Sequence, residues 1–213
     1  EHLAVHEDIR GPFLAVVPLS TVEHWRREIE RWTDLRVCVY HDQEGMQGRQ
    51  VIRENCWRYE EHSMRDDLAK FNVMVTTYET LLADLDYVGR FQWRLMITDE
   101  GHKLKNPHSK IALALSEGLS VEHHVLLTGT PIQNNTQELW ALMSFVQGKS
   151  NFMSLETFQD RFGDMRTSRQ VSELRKLMRP IVLRRLKSQV AKSIPAMRET
   201  VIDVELTTLQ KQY

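Results

Sequence analysis

The stretch that most constrains this chain is Leu95-Met96-Ile97-Thr98-Asp99-Glu100-Gly101-His102. An apolar run of strand length ends in two adjacent carboxylates, a glycine and a histidine. Short apolar runs set between helical patterns are the mark of strands in a parallel sheet, buried on both faces. In such sheets ligands bind beyond the carboxyl ends of the strands. A second run, Leu126-Leu127, leads into Thr128-Gly129-Thr130-Pro131. Taken singly, the first motif is also compatible with a solvated turn, and the second with an ordinary strand exit. In this order, each at the end of a strand, they point to phosphate chemistry.

The rest of the chain supplies the sheet. Phe13–Val17, closed by Pro18, reads as a buried strand. Ser20 stands three residues before Glu23, a capping-box pattern that predicts a helix through about Trp32. Val37–Tyr40 is a second strand. Gln47 to about Tyr59 reads as helix, followed by a charged loop over 60–67. Asn72–Thr76, Leu95–Thr98 and Val125–Leu127 are the third to fifth strands, with a helix over Asn106–Glu117. Strands alternating with helices predict an α/β fold, a parallel sheet covered on both faces.

Beyond Pro131 the pattern turns helical, around Glu138–Val146, Leu155–Phe162 and Arg169–Met178. The expected organisation is an α/β lobe over 1–135, a helical protrusion over 136–180, a basic segment over 181–199 and the start of a following domain over 200–213. Thr200–Leu206 alternates like a strand. From Arg175 to Arg198 there are eight basic residues and no acidic one. Ile181, Val182, Leu183, Leu186 and Val190 interleave with them. The segment therefore reads as a basic amphipathic helix that braces the lobe, with an approach to DNA or a second lobe as the other use.

Composition mainly excludes. The 213 residues hold 28 Lys plus Arg and 29 Asp plus Glu, so overall charge does not announce a polyanion partner. Cys38 and Cys56 have no metal-ligand spacing, and two buried free thiols are expected. There is no signal peptide or bilayer-spanning run, which predicts an intracellular protein without a membrane partner. Asn134-Asn135-Thr136 fits a glycosylation pattern and is discounted on the same ground. Gly148-Lys149-Ser150 resembles the end of a phosphate loop, but Met143 replaces the first glycine and no strand precedes it.

The residues then take candidate roles. Asp99 is the Mg²⁺-side carboxylate, and Glu100 the general base that orients a water for attack on a nucleoside triphosphate. His102 links that side to the neighbouring strand end. Gly129 permits a tight turn, while the Thr128 and Thr130 hydroxyls bond to the Asp-Glu turn. Pro18, Leu19, Ser20 and Thr21 place N–H groups and hydroxyls at a helix start, which suits either a nucleic-acid phosphate or plain N-capping. Thr76, Thr77 and Tyr78, before Glu79, carry the same two readings.

These motifs resemble the first motor lobe of the Swi/Snf-type chromatin-remodelling ATPases of helicase superfamily two. The resemblance runs through Gly11–Leu14, Pro18–Thr21 with Trp25, Thr76–Glu79, Asp99–Asn106, Leu127–Asn135 and Arg179–Lys187. Val51–Asn55, Gly163-Asp164 and Leu206–Tyr213 are most similar to the chromodomain-helicase-DNA-binding group. Gly101 replaces that group's usual alanine, and Thr98 its usual apolar residue. The resemblance implies a RecA-like P-loop NTPase lobe with a helical protrusion and a brace helix bearing Arg184 and Arg185. It also implies ATP and Mg²⁺ as cofactors, duplex DNA and nucleosomes as partners, a second motor lobe in the same protein, and a place in the nucleus. The stretch looks cut after the phosphate loop and before the second lobe's arginine finger, so these residues alone are expected to be inactive. The alternative is a non-catalytic nucleic-acid or protein interaction module that kept the fold.

Overall fold

The computed structural model describes residues 1–57, 69–129, 136–148, 151–163, 167–185, 199–200, 202, 204–206 and 210. Its elements are α1 (His2–Val5), β1 (Phe13–Val17), α2 (Val22–Trp32), β2 (Val37–Tyr40), α3 (Met46–Ile52), β3 (Val73–Thr77), α4 (Tyr78–Ala83), α5 (Leu85–Val88), β4 (Gln92–Thr98), α6 (Lys110–Glu117), β5 (Ser120–Leu126), α7 (Thr136–Gln147), α8 (Leu155–Phe162) and α9 (Ser168–Met178). By compactness the chain divides into 1–171 and 172–213.

In the first unit the strands form one five-stranded parallel sheet, in the order β2-β3-β1-β4-β5. β1 and β3 are buried along their whole length, as unbroken apolar strands inside a covered sheet must be. Alternation divides their side chains between two cores. Leu14, Val16, Tyr40, Met74 and Met96 face a large core with the aromatic rings of Trp57, Phe71, Phe91 and Trp93. Phe13, Ala15, Val17, Val73 and Val75 face a smaller core covered by Val22, Trp25 and Ile29 of α2. Those three lie on one stripe of α2, at spacings of three and four.

Several expectations need correction. The Ser20 capping box does not form. Leu19–Thr21 is a 3₁₀ turn, α2 begins at Val22 without a side-chain cap, and Thr21 Oγ1 instead donates to Pro18 O at 2.9 Å. The helix expected from Asn106 starts at Lys110, because Ser109 Oγ caps it through the Ala112 N–H. β5 starts five residues before its expected Val125. It is an edge strand whose exposed Glu122 and His123 break the apolar signal. The helix expected from Gln47 runs as α3 and a π turn, Arg53–Trp57. Its last expected residues and the 60–67 loop lie outside the described residues. Cys38 is buried but Cys56 is exposed. Burial, and then the neighbouring Cys56, push the Cys38 thiol up to about 12.

The three later helices form where the periodicity places them. α7 is no free appendage, since its Leu142 and Phe145 join the large sheet core. In the second unit, α9 ends in a turn in which Val182 N–H donates to Met178 O at 2.8 Å. Residues 182–185 have no regular structure, so the expected brace helix is absent over its described part. Pro180 explains the stop, because it lacks an N–H and disfavours helix at the residue before it. Arg184 and Arg185 are exposed in this irregular stretch, and 186–198 lie outside the described residues. Nor is there a strand among the described residues of 200–206, where Ile202, Val204 and Leu206 are exposed. An alternating pattern becomes a strand only with a partner to bond.

Candidate active site

The parallel register lines up the strand ends. Val17 lies beside Thr77, Val16 beside Thr98, and Thr98 beside Leu126. The residues that follow, Pro18–Thr21, Tyr78, Asp99–His102 and Leu127–Gly129, therefore share one edge of the sheet. This is the edge where a parallel sheet binds its ligands.

Asp99 is the most tightly held of them. Its N–H donates to Val16 O at 2.9 Å, which ties the turn to β1. Its carboxylate accepts the Glu100 N–H on Oδ1 at 2.9 Å and the Trp25 indole N–H on Oδ2 at 3.1 Å. Its main-chain oxygen accepts the Tyr78 hydroxyl. Burial, then the charges of Asp99, Glu100 and Glu79, raise the Tyr78 pKa, so this phenol stays a donor. A carboxylate offers about four lone-pair sites. Each oxygen of the half-buried Asp99 carboxylate accepts one N–H, which leaves acceptor capacity for a hard cation, so the residue fits Mg²⁺.

Glu100 sits in the left-handed region at φ 54° and ψ 48°, an unusual place for a residue with a side chain. The turn sends its carboxylate outward, where it is about half exposed and lies 3.0 Å from His102 Nδ1. The described contact of His102 is thus Glu100, and not the neighbouring strand end expected for it. Gly101 makes that link through its backbone, donating to Leu127 O at 2.8 Å, while Leu127 N–H donates to Thr98 O at 2.8 Å. A Cβ on Gly101 would lie 2.4 Å from Leu126 Cγ, so the glycine lets the two strand ends close up. Thr98 keeps its buried hydroxyl satisfied on Val125 O at 3.4 Å.

The described start of the second motif lies beside this turn. Gly129 does not have a positive φ, and the rest of its expected turn lies outside the described residues. Thr128 follows the Leu127 bridge directly, and Thr130 lies outside the described residues.

Thr76, Thr77 and Tyr78 are buried, with their hydroxyls used inside the lobe. Thr76 Oγ1 donates to Tyr40 O at 2.7 Å, and Thr77 Oγ1 accepts the Thr80 N–H at 3.1 Å to cap α4. These side chains cannot offer hydroxyls to a phosphate, contrary to expectation. Leu19 and Ser20 are exposed, and Pro18 and Thr21 are partly so. Three contacts carry no signal in the sequence: Trp25 on Asp99, Lys103 Nζ at 4.5 Å over the Tyr78 ring, and Lys105 with Glu138 at 3.1 Å. The Trp25 bond spans 74 residues, so local pattern could not reveal it.

Fold and strand-end geometry together define a RecA-like lobe. Comparison with known proteins fixes its family. The whole chain, residues 1–213, matches the SNF2-related domain, and the chain belongs to that family. It is 41% identical over 211 residues to chromodomain-helicase-DNA-binding protein 6 of Mus musculus, covering 96% of this chain and 8% of that protein. It is 40% identical over 205 residues to chromodomain-helicase-DNA-binding protein 7 of Homo sapiens, covering 96% of this chain and 7% of that protein. The chain thus spans under a tenth of these relatives. Among solved structures it is similar to the Sulfolobus solfataricus SWI2/SNF2 ATPase core in complex with dsDNA. That match has a TM-score of 0.69 and 28% identity, and covers 88% of this chain and 36% of the other. Among the described residues no helix is long and apolar enough to cross a membrane.

Proposed function

We propose that this lobe supplies the catalytic carboxylates of an ATP-driven chromatin remodeller. ATP hydrolysis, stimulated by duplex DNA, would drive translocation along the duplex and nucleosome movement in the nucleus, with a second motor lobe closing the site. The observation that carries this reading is the row of strand ends, which sets Asp99-Glu100 beside Pro18–Thr21 and Leu127–Gly129 on one sheet edge. The DNA-bound Sulfolobus relative supports it.

Asp99 would hold Mg²⁺ with the triphosphate, where the ion would supply positive charge to the phosphates. Glu100 orients the attacking water and accepts its proton, while His102 steadies the Glu100 carboxylate. Pro18–Thr21 contacts DNA phosphates, a mode that positions a duplex without reading its sequence. Thr76, Thr77 and Tyr78 support the site from below.

These 213 residues contain no Gly-x-x-x-x-Gly-Lys-Ser/Thr loop, so the test belongs in the complete two-lobe protein. There Glu100→Gln should slow DNA-stimulated hydrolysis by about 10³-fold and leave nucleotide affinity within about threefold. Near-normal turnover in the variant would remove Glu100 from the mechanism. A wild-type protein that binds duplex but never hydrolyses ATP would favour the interaction-module reading.

A further inference from the structure

Asp99 is gripped from α2. α2 begins directly after Pro18–Thr21, and Trp25 lies four residues beyond Thr21, on the same helix face one turn along. Its indole N–H reaches Asp99 Oδ2 at 3.1 Å, while its ring packs on the smaller sheet core. The Glu100 N–H on Oδ1 belongs to the turn itself. Trp25 is therefore the one described side chain from another element that bonds the Asp99 carboxylate. The Pro18–Thr21 turn and that oxygen are thus joined through the first turn of one helix. Tyr78 holds the carbonyl of the same residue.

We propose that Trp25 is a positioning residue that couples DNA contact at the Pro18–Thr21 turn to the orientation of the Asp99 carboxylate toward Mg²⁺-nucleotide. The inference rests on the functional reading above. Its physical content is a coupling free energy: DNA tightens Mg²⁺-nucleotide binding, and the indole N–H carries that effect. Trp25 touches neither the reacting atoms nor the duplex.

The test uses the complete two-lobe protein and a fluorescent, non-hydrolysable ATP analogue, titrated with Mg²⁺ with and without a duplex. Trp25→Phe removes the N–H and keeps an aromatic ring. Benzothienylalanine at position 25 removes the same N–H at nearly unchanged volume, and so serves if the Phe variant does not fold. In the wild type, DNA should tighten Mg²⁺-dependent analogue binding by about fivefold or more. In either variant that gain should shrink below about twofold, with DNA affinity retained. Variants that keep the full DNA-dependent gain would overturn the proposal. So would a wild type whose ATP turnover is stimulated by DNA but whose analogue binding is not tightened by it. If duplex fails to stimulate wild-type turnover at all, the functional reading itself fails, and the coupling with it.

Discussion

Asp84 and the Asp99-Glu100 pair are carboxylates of one lobe in opposite surroundings. Asp84 is sealed, with its side chain 5% exposed. It accepts Arg49 Nε at 2.6 Å, Arg53 Nη1 at 3.3 Å and the Tyr40 hydroxyl at 2.5 Å. Burial by itself would raise its pKa, but the bonds from Arg49 and Tyr40 and the two guanidinium charges outweigh it and hold the group below its ordinary value. Asp99 and Glu100 have neutral N–H groups and an imidazole where Asp84 has two guanidinium groups. A compensated charge ties α3 and its π turn to the α4–α5 junction. A carboxylate left partly open keeps acceptor capacity for a further ligand.

Breaking the sealed centre should have the largest effect. Asp84→Asn leaves Arg49 and Arg53 without their counter-charge and should cost about 3 kcal/mol of stability, read by urea unfolding at pH 7. Because the folded pKa of Asp84 is lowered, its contribution is present above the unfolded value, about 4, and is lost as pH falls through the folded value. The gap between wild type and Asp84→Asn should therefore close in acid. A gap constant from pH 7 to pH 3 would show that Asp84 acts by packing alone.

Tyr40→Phe tests the same centre more gently. Its hydroxyl is pushed up to about 12, first by burial and then by its bond to Asp84, so it donates as a neutral group at any working pH. Losing it should cost about 1 kcal/mol in the same unfolding experiment, and an unchanged midpoint would count against the network.

The smallest effect should have the opposite sign. Glu100 occupies a left-handed position that glycine adopts freely. Glu100→Gly should raise stability by a few tenths to about 1 kcal/mol while hydrolysis is lost. Destabilisation on removing the carboxylate at 84 and stabilisation on removing it at 100 would show which one serves the fold. A less stable Glu100→Gly protein would place both carboxylates in the fold's service.

The sequence by itself determined the alternation of buried strands and amphipathic helices, and with it the parallel sheet. Period and residue type are local, so β1, β3 and the helices α7 to α9 were legible without a structure. So was the pair Asp99-Glu100, because carboxylates at the end of an apolar run need no long-range information to stand out. β5 was only half legible, since an edge strand need not be apolar on both faces. The hydroxyls of Thr76, Thr77 and Tyr78 were legible as residues but not as roles, because exposure depends on what packs above them. Only the tertiary structure decided that they are sealed inside the lobe, that Trp25 and Tyr78 grip Asp99, and that Arg49, Arg53 and Tyr40 converge on Asp84. Each of these contacts joins elements far apart in the chain, and its geometry exists only once sheet register and helix packing have fixed both partners.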